Sequence, residues 1–86
     1  EFIILLPNKN LATAAFKVAE RVRKSIEKEK VLWQGVSIPI SVSLGIATLR
    51  PEDKDGDSVI LRADEALYRA KSQGKNQTCL EHIPGQ

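Results

Sequence analysis

The run over residues 36–48 restricts the fold more than any other stretch. Val36, Ile38, Ile40, Val42, Leu44 and Ile46 alternate with Ser37, Pro39, Ser41, Ser43, Gly45 and Ala47. Successive side chains of a strand point to opposite faces, so this period of two puts large apolar groups on one face and small groups on the other. A face of small residues admits a close neighbour, either another backbone or a ligand. Pro39 has no amide proton to give a sheet and marks the first part of the run as an edge or a bulge. The regular strand is therefore expected over residues 40–47.

The rest of the chain supplies partners for that strand. Residues 1–7 read Glu-Phe-Ile-Ile-Leu-Leu-Pro, an unbroken apolar run between a carboxylate and a proline, as in a strand buried on both faces. Pro7-Asn8-Lys9-Asn10 is a turn, with Asn8 or Asn10 as cap of the next helix. Over 11–30, Leu11, Ala15, Val18, Val22 and Ile26 recur at helical spacing as a core-facing stripe. Glu20, Arg23, Lys24, Glu27, Lys28 and Lys30 occupy the other faces and read as a solvated surface. The pairs Glu20–Lys24 and Glu27–Lys30 are each worth about 0.3 kcal/mol. Residues 31–35 read as a connection, with Trp33 against the sheet edge.

The loop over 49–57 carries Asp53, Asp55 and Asp57 at alternate positions. A calcium loop would need glycine and glutamate where Ser58 and Asp64 stand, so the loop reads as a solvated turn. Asp57 or Ser58 caps a second helix over 59–73. Residues 77–81 form a short edge strand, and 83–86 a tail. The order is strand, helix, strand, helix, strand, an α+β arrangement without repeats.

Within the second helix, Ala63, Ala66, Leu67 and Ala70 make one apolar stripe, and Gly74 is placed to end the helix in a left-handed conformation. Lys71 and Lys75, at i and i+4, bracket that end. They either offset the helix dipole, at about 0.3–1 kcal/mol each, or hold a phosphate. Gly74-Lys75 closes a helix instead of opening one and is not a Walker A loop.

Composition narrows the classes. Eighty-six residues make one small domain at most. The net charge of +2, without a dense track of Lys and Arg, argues against nucleic acid. No apolar run approaches the ~20 residues of a membrane helix, so no membrane contact is expected of this segment. Cys79 is the single cysteine, which excludes an intrachain disulfide and fits a reducing cytosol. Cys79 and His82 are too few for a zinc site. The chain has no methionine and is expected to be a stretch of a longer protein.

Three segments together resemble the GGDEF family of diguanylate cyclases. Glu1-Phe2 and the strand after it look like the last two letters of the Gly-Gly-Asp/Glu-Glu-Phe signature and the strand that leaves it. Ser41-Val42-Ser43-Leu44-Gly45-Ile46-Ala47 is similar to the family's serine-valine-glycine strand. Ala63-Asp64, Ala66-Leu67-Tyr68, Ala70-Lys71 and Gly74-Lys75-Asn76 fit the pattern Ala-Asp-x-Ala-Leu-Tyr-x-Ala-Lys-x-x-Gly-Arg-Asn, with Lys75 where arginine is usual. Ala19-Glu20-Arg21-Val22-Arg23 also fits. The matches run in order across nearly the whole chain, with residues 1–82 as the C-terminal part of such a domain.

The resemblance implies a nucleotidyl-cyclase, palm-like (ferredoxin-like) sheet with helices packed on it. A further strand, supplied by the part of the domain before Glu1, would lie between the strand that starts at Glu1 and the one that ends near Ala47. It implies condensation of two GTP molecules into cyclic di-GMP with release of pyrophosphate, in a homodimer and with Mg2+ or Mn2+. A cytoplasmic location and an upstream sensory or regulatory domain, with any membrane anchor upstream, follow from the same likeness. By position, Lys71 and Lys75 would contact the GTP phosphates. Glu1 would be a catalytic-site residue at the lip of the site, and Arg21 a secondary product-inhibition contact. Lysine at Lys75 keeps the charge of arginine but loses its bidentate fork. The family's metal ligands and its two signature glycines precede Glu1, so this fragment alone is expected to bind no metal and to be inactive. The alternatives are a degenerate GGDEF domain acting as a nucleotide sensor or dimerisation module, and a ferredoxin-like interaction domain without nucleotide chemistry.

Overall fold

A computed structural model describes residues 1–81; His82 and the expected tail at 83–86 lie outside the described residues. The apolar run after Glu1 forms strand β1 (Phe2–Leu6). Asn8 caps the turn that follows, its side chain accepting from the Asn10 amide at 3.0 Å. One turn of 3-10 helix at Lys9–Leu11 leads into helix α1 (Ala12–Lys28). The chain then forms β2 (Lys30–Trp33), β3 (Val36–Pro39) and β4 (Leu44–Thr48), helix α2 (Gly56–Ser72) and β5 (Thr78–Leu80). This is a mixed α/β architecture, in keeping with the expected class.

β1, β4 and β5 form one parallel sheet in the order β1-β4-β5, with Phe2 opposite Leu44 and Leu6 opposite Thr48. The further strand expected between β1 and β4 was to come from before Glu1; within this chain no slot is left for it, because the two are direct neighbours. They are equal in length, and the backbone groups on their facing edges bond to one another. α1 covers one face, where Ala19 packs with Leu44 and Ile46 and with the half-buried Ile4, Leu6, Phe16 and Val42. α2 covers the other, where Val59 and Ala63 pack on Ala47.

The small face of the 36–48 run meets a backbone. A Cβ placed on Gly45 would lie 2.3 Å from the Ala63 carbonyl oxygen and 2.4 Å from the Leu67 nitrogen. Helix α2 therefore lies directly on β4, with Ala63, Ala66 and Ala70 fully buried along the contact.

Three expectations change at the element level. The alternating run is two strands: β3 stops at Pro39, and only 44–48 joins the main sheet. β3 pairs instead with β2 as an antiparallel hairpin, with Trp33 opposite Val36. Its two-residue loop, Gln34-Gly35, takes positive φ at both positions (49° and 80°), as a type I′ turn requires. Every residue of this arm is exposed, Leu32 to 75%. Second, α1 ends at Lys28 because Lys30 enters the β2–β3 ladder. Third, the α1 stripe is only partly a core: Leu11, Val18 and Val22 are exposed and line an open apolar groove of about 540 Å³ with Phe2, Ile4 and Val42. Phe16, Ala19, Glu20 and Arg23 are the residues α1 turns to the sheet and the loop beside it.

The loop over 49–57 is not simply solvated. Arg62 of α2 donates to both Asp53 carboxylate oxygens at 2.8 and 2.7 Å and to the Thr48 carbonyl at 2.8 Å. Arg50 pairs with the buried Glu81, which also accepts from the Thr48 amide. Asp55, and not the expected Asp57 or Ser58, caps α2 by accepting from the Ser58 amide at 3.3 Å.

Candidate functional site

α2 ends in a Schellman motif, with the Lys75 amide bonded to the Ala70 carbonyl at 2.9 Å and the Gly74 amide to that of Lys71 at 3.4 Å. Gly74 takes φ +120°. The helix thus stops before Lys75, and the two lysines do not share a helix face as their spacing suggests. Lys71 sits in the last turn, while Lys75 stands in the loop beyond and takes the left-handed conformation itself, as does Asn76 (φ 61° and 50°).

This end of α2 lies at the start of β1. The Phe2 amide donates to the Ser43 carbonyl at 3.0 Å, which anchors the chain start beside β4. There the Lys71 ammonium forms an ion pair with the Glu1 carboxylate. The Lys71 hydrogen bond holds the Glu1 carboxyl below the usual carboxylate range, and the Lys71 and Lys75 charges add to the effect. Two of the residues singled out from sequence, Glu1 and Lys71, therefore meet at one solvent-facing corner, and the Lys75 charge acts on the same carboxylate. Arg21 does not join them. It is exposed on α1, in a shallow groove with Phe16, Lys17, Glu20 and Lys24.

A second cluster, which sequence reasoning read as solvated charge, holds the loop that carries Lys75. Arg23 Nη1 donates to the Asn76 carbonyl at 3.1 Å and to Asn76 Oδ1 at 3.0 Å. Arg23 is itself bound by Glu20 through Nε and Nη2 and lies 3.4 Å from Glu27. These contacts replace the expected Glu20–Lys24 and Glu27–Lys30 pairs. The Asn76 side-chain amide donates to Glu27, and the Asn76 backbone amide donates to Ser43 Oγ at 3.1 Å. The Thr78 hydroxyl donates to Glu20 at 3.1 Å, and Arg23 and Thr78 together hold the Glu20 carboxyl below its ordinary range. Helical spacing could not reveal this cluster, because its partners are some fifty residues apart. Its one sequence signal is that Glu20, Arg23 and Asn76 all fall within segments that fit the family pattern.

The corner can hold an anion: the Lys71 ammonium neutralises the Glu1 carboxylate, and the Lys75 charge adds to the positive field there. Its fit to a divalent cation is poor, since Glu1 is the carboxylate at hand and Lys71 occupies it. Magnesium and calcium take several oxygen ligands, and no group of three or more His, Cys, Asp or Glu is so placed among the described residues.

The family model described as "Diguanylate cyclase, GGDEF domain" matches residues 1–77. The chain belongs to the GGDEF diguanylate cyclase family. Diguanylate cyclase A of Treponema denticola is 39% identical over 80 residues, which is 93% of this chain and 21% of that protein. An uncharacterized protein of Bacillus subtilis, YhcK, is 38% identical over 92% of this chain and 22% of its own length. A diguanylate cyclase of Vibrio cholerae is 35% identical over 93% of this chain and 24% of its own. The chain thus spans between a fifth and a quarter of the length of these relatives. Glu1 lies in the first of the segments that resemble the family, and Lys71 and Lys75 lie in the last, near the end of the matched stretch. The fold joins these two far-separated motifs at one corner. The small parallel sheet and its two helices agree with a portion of the palm-like nucleotidyl cyclase fold.

Proposed function

We propose that this chain is the phosphate-gripping part of a diguanylate cyclase domain, running to residue 82 with a tail at 83–86. The protein joins two GTP molecules into cyclic di-GMP for bacterial second-messenger signalling. Each 3′-hydroxyl gives up its proton and attacks the α-phosphorus of the other GTP, and each attack expels one pyrophosphate. The observation that carries the reading is the meeting of Glu1 with Lys71, seventy positions apart, beside Lys75.

Lys71 and Lys75 bind and orient the triphosphate. Before substrate arrives, Glu1 holds Lys71; the triphosphate takes over Lys71 and frees the carboxylate at the lip of the site. Magnesium or manganese neutralises the triphosphate when bound, with its ligands drawn from residues that precede Glu1. The 86-residue chain is accordingly inactive by itself. Arg21, exposed on α1, is a secondary contact for bound product. Two such domains meet as a homodimer in the cytoplasm, under an upstream sensory or regulatory region.

The test is GTP affinity of the full-length protein. Lys71→Ala is expected to weaken binding about tenfold, the scale of one charge-assisted contact. An unchanged affinity would favour an interaction domain in which the lysine only offsets the helix dipole.

A further inference from the structure

We propose that Arg23 is a positioning residue for the phosphate grip: by clamping Asn76 it fixes the left-handed step at Lys75 and holds the Lys75 ammonium at the corner with Lys71 and Glu1. This rests on the reading of Lys71 and Lys75 as phosphate contacts.

Gly74, Lys75 and Asn76 take positive φ in succession, at 120°, 61° and 50°. Glycine adopts this region freely and asparagine tolerates it, but lysine does so against the contact between its Cβ and the backbone. Such a conformation persists where the surroundings impose it. Here the imposition falls on Asn76, whose polar groups are all engaged. Its backbone amide donates to Ser43 Oγ, its side-chain amide donates to Glu27, and its two oxygens accept from one nitrogen of Arg23. Lys75 lies between this anchored residue and the Schellman bond from its own amide to Ala70.

Arg23 suits the task because its own position is fixed. Its side chain is 11% exposed, and Glu20 takes Nε and Nη2 while Nη1 is left to Asn76 and Glu27. Glu20 is braced in turn by the Thr78 hydroxyl on β5. α1, β5 and the segment before β4 therefore converge on the residue next to Lys75. With its donors committed in this way, the guanidinium acts on phosphate only through Lys75. Lysine at position 23 would keep the charge but could not serve Glu20 and Asn76 together with a planar fork.

The experiment measures GTP affinity of the full-length protein carrying Lys75→Ala, Arg23→Ala, Arg23→Lys, or Arg23→Ala with Lys75→Ala. Arg23→Ala is expected to weaken binding about tenfold. Arg23→Lys should also weaken it, by at least about threefold, because the fork is lost while the charge is kept. In the double variant the losses should not multiply, and its affinity should stay within about twofold of Lys75→Ala alone. Multiplied losses are what a merely structural residue would give, and they would overturn the proposal. Wild-type affinity in Arg23→Lys, beside a loss in Lys75→Ala, would overturn this proposal and leave the phosphate reading standing. Wild-type affinity in Lys75→Ala would remove both. Should Arg23→Ala fail to fold, Arg23→Lys alone and combined with Lys75→Ala decides by the same comparison.

Discussion

Asp53 lies beneath the Arg62 guanidinium, which takes both its oxygens, while the Arg50 amide adds a third hydrogen bond. Arg62 above all holds the Asp53 carboxyl down at about 2 from its ordinary 3.8. A carboxyl depressed by folding contributes stability that is fully present above its unfolded value and is lost as pH falls through its folded one. The contribution of Asp53 should therefore fade between pH 3.8 and about 2. Asp53→Asn should lower the urea midpoint at neutral pH, and its deficit against the wild type should shrink as pH drops through that window. Midpoints that stay separated by a constant amount would contradict the assigned ion pair. Residue-level detail of this kind was the least legible in sequence. Asp53, Asp55 and Asp57 read alike by spacing, yet the first binds Arg62, the second caps α2 and the third lies in its first turn. What separates them is geometry set by β4 and α2 together.

At the scale of elements, the contact of β4 with α2 fixes the architecture. Gly45 is the point of closest approach, and what a Cβ would meet there is backbone. Backbone cannot step aside as a flexible side chain can, so Gly45→Ala must push the helix off the sheet. The expected cost is about 3 kcal/mol, at the upper end for overpacking. A denaturant midpoint unchanged by the substitution would refute the close packing. The small face that made this contact possible was visible in the alternation over 36–48, as were β1, both helices and the glycine stop at Gly74. The arm of β2 and β3 was not, because the same alternation runs unbroken across Pro39 and hides the change of partner. The roll of α1 was not visible either. An apolar stripe says that a helix has a side to bury, but Arg23 and Glu20, held by Asn76 and Thr78, decide which side meets the sheet.

Over the whole molecule, opposite ends of the sheet carry different chemistry. The carboxyl ends of β4 and β5 are tied together by Glu81, Arg50, Arg62 and Asp53, all committed to one another. The corner before β1 joins Glu1 and Lys71 in contact with solvent, with the Lys75 charge acting on the same carboxylate. Between them, the apolar groove under α1 and the β2–β3 arm remain uncovered among the described residues. That Glu1 and Lys71 belong together could be read only through the resemblance, because no local pattern links residues seventy apart. The central claim, that this corner grips the triphosphate in a cyclic di-GMP synthase, is tested most directly by turnover. Full-length protein is supplied with GTP and magnesium, and product is separated by chromatography. Cyclic di-GMP should form and should fall at least about tenfold in Lys71→Ala, while the 86-residue chain alone should form none. Turnover undiminished by Lys71→Ala, or turnover by the 86-residue chain alone, would contradict the account.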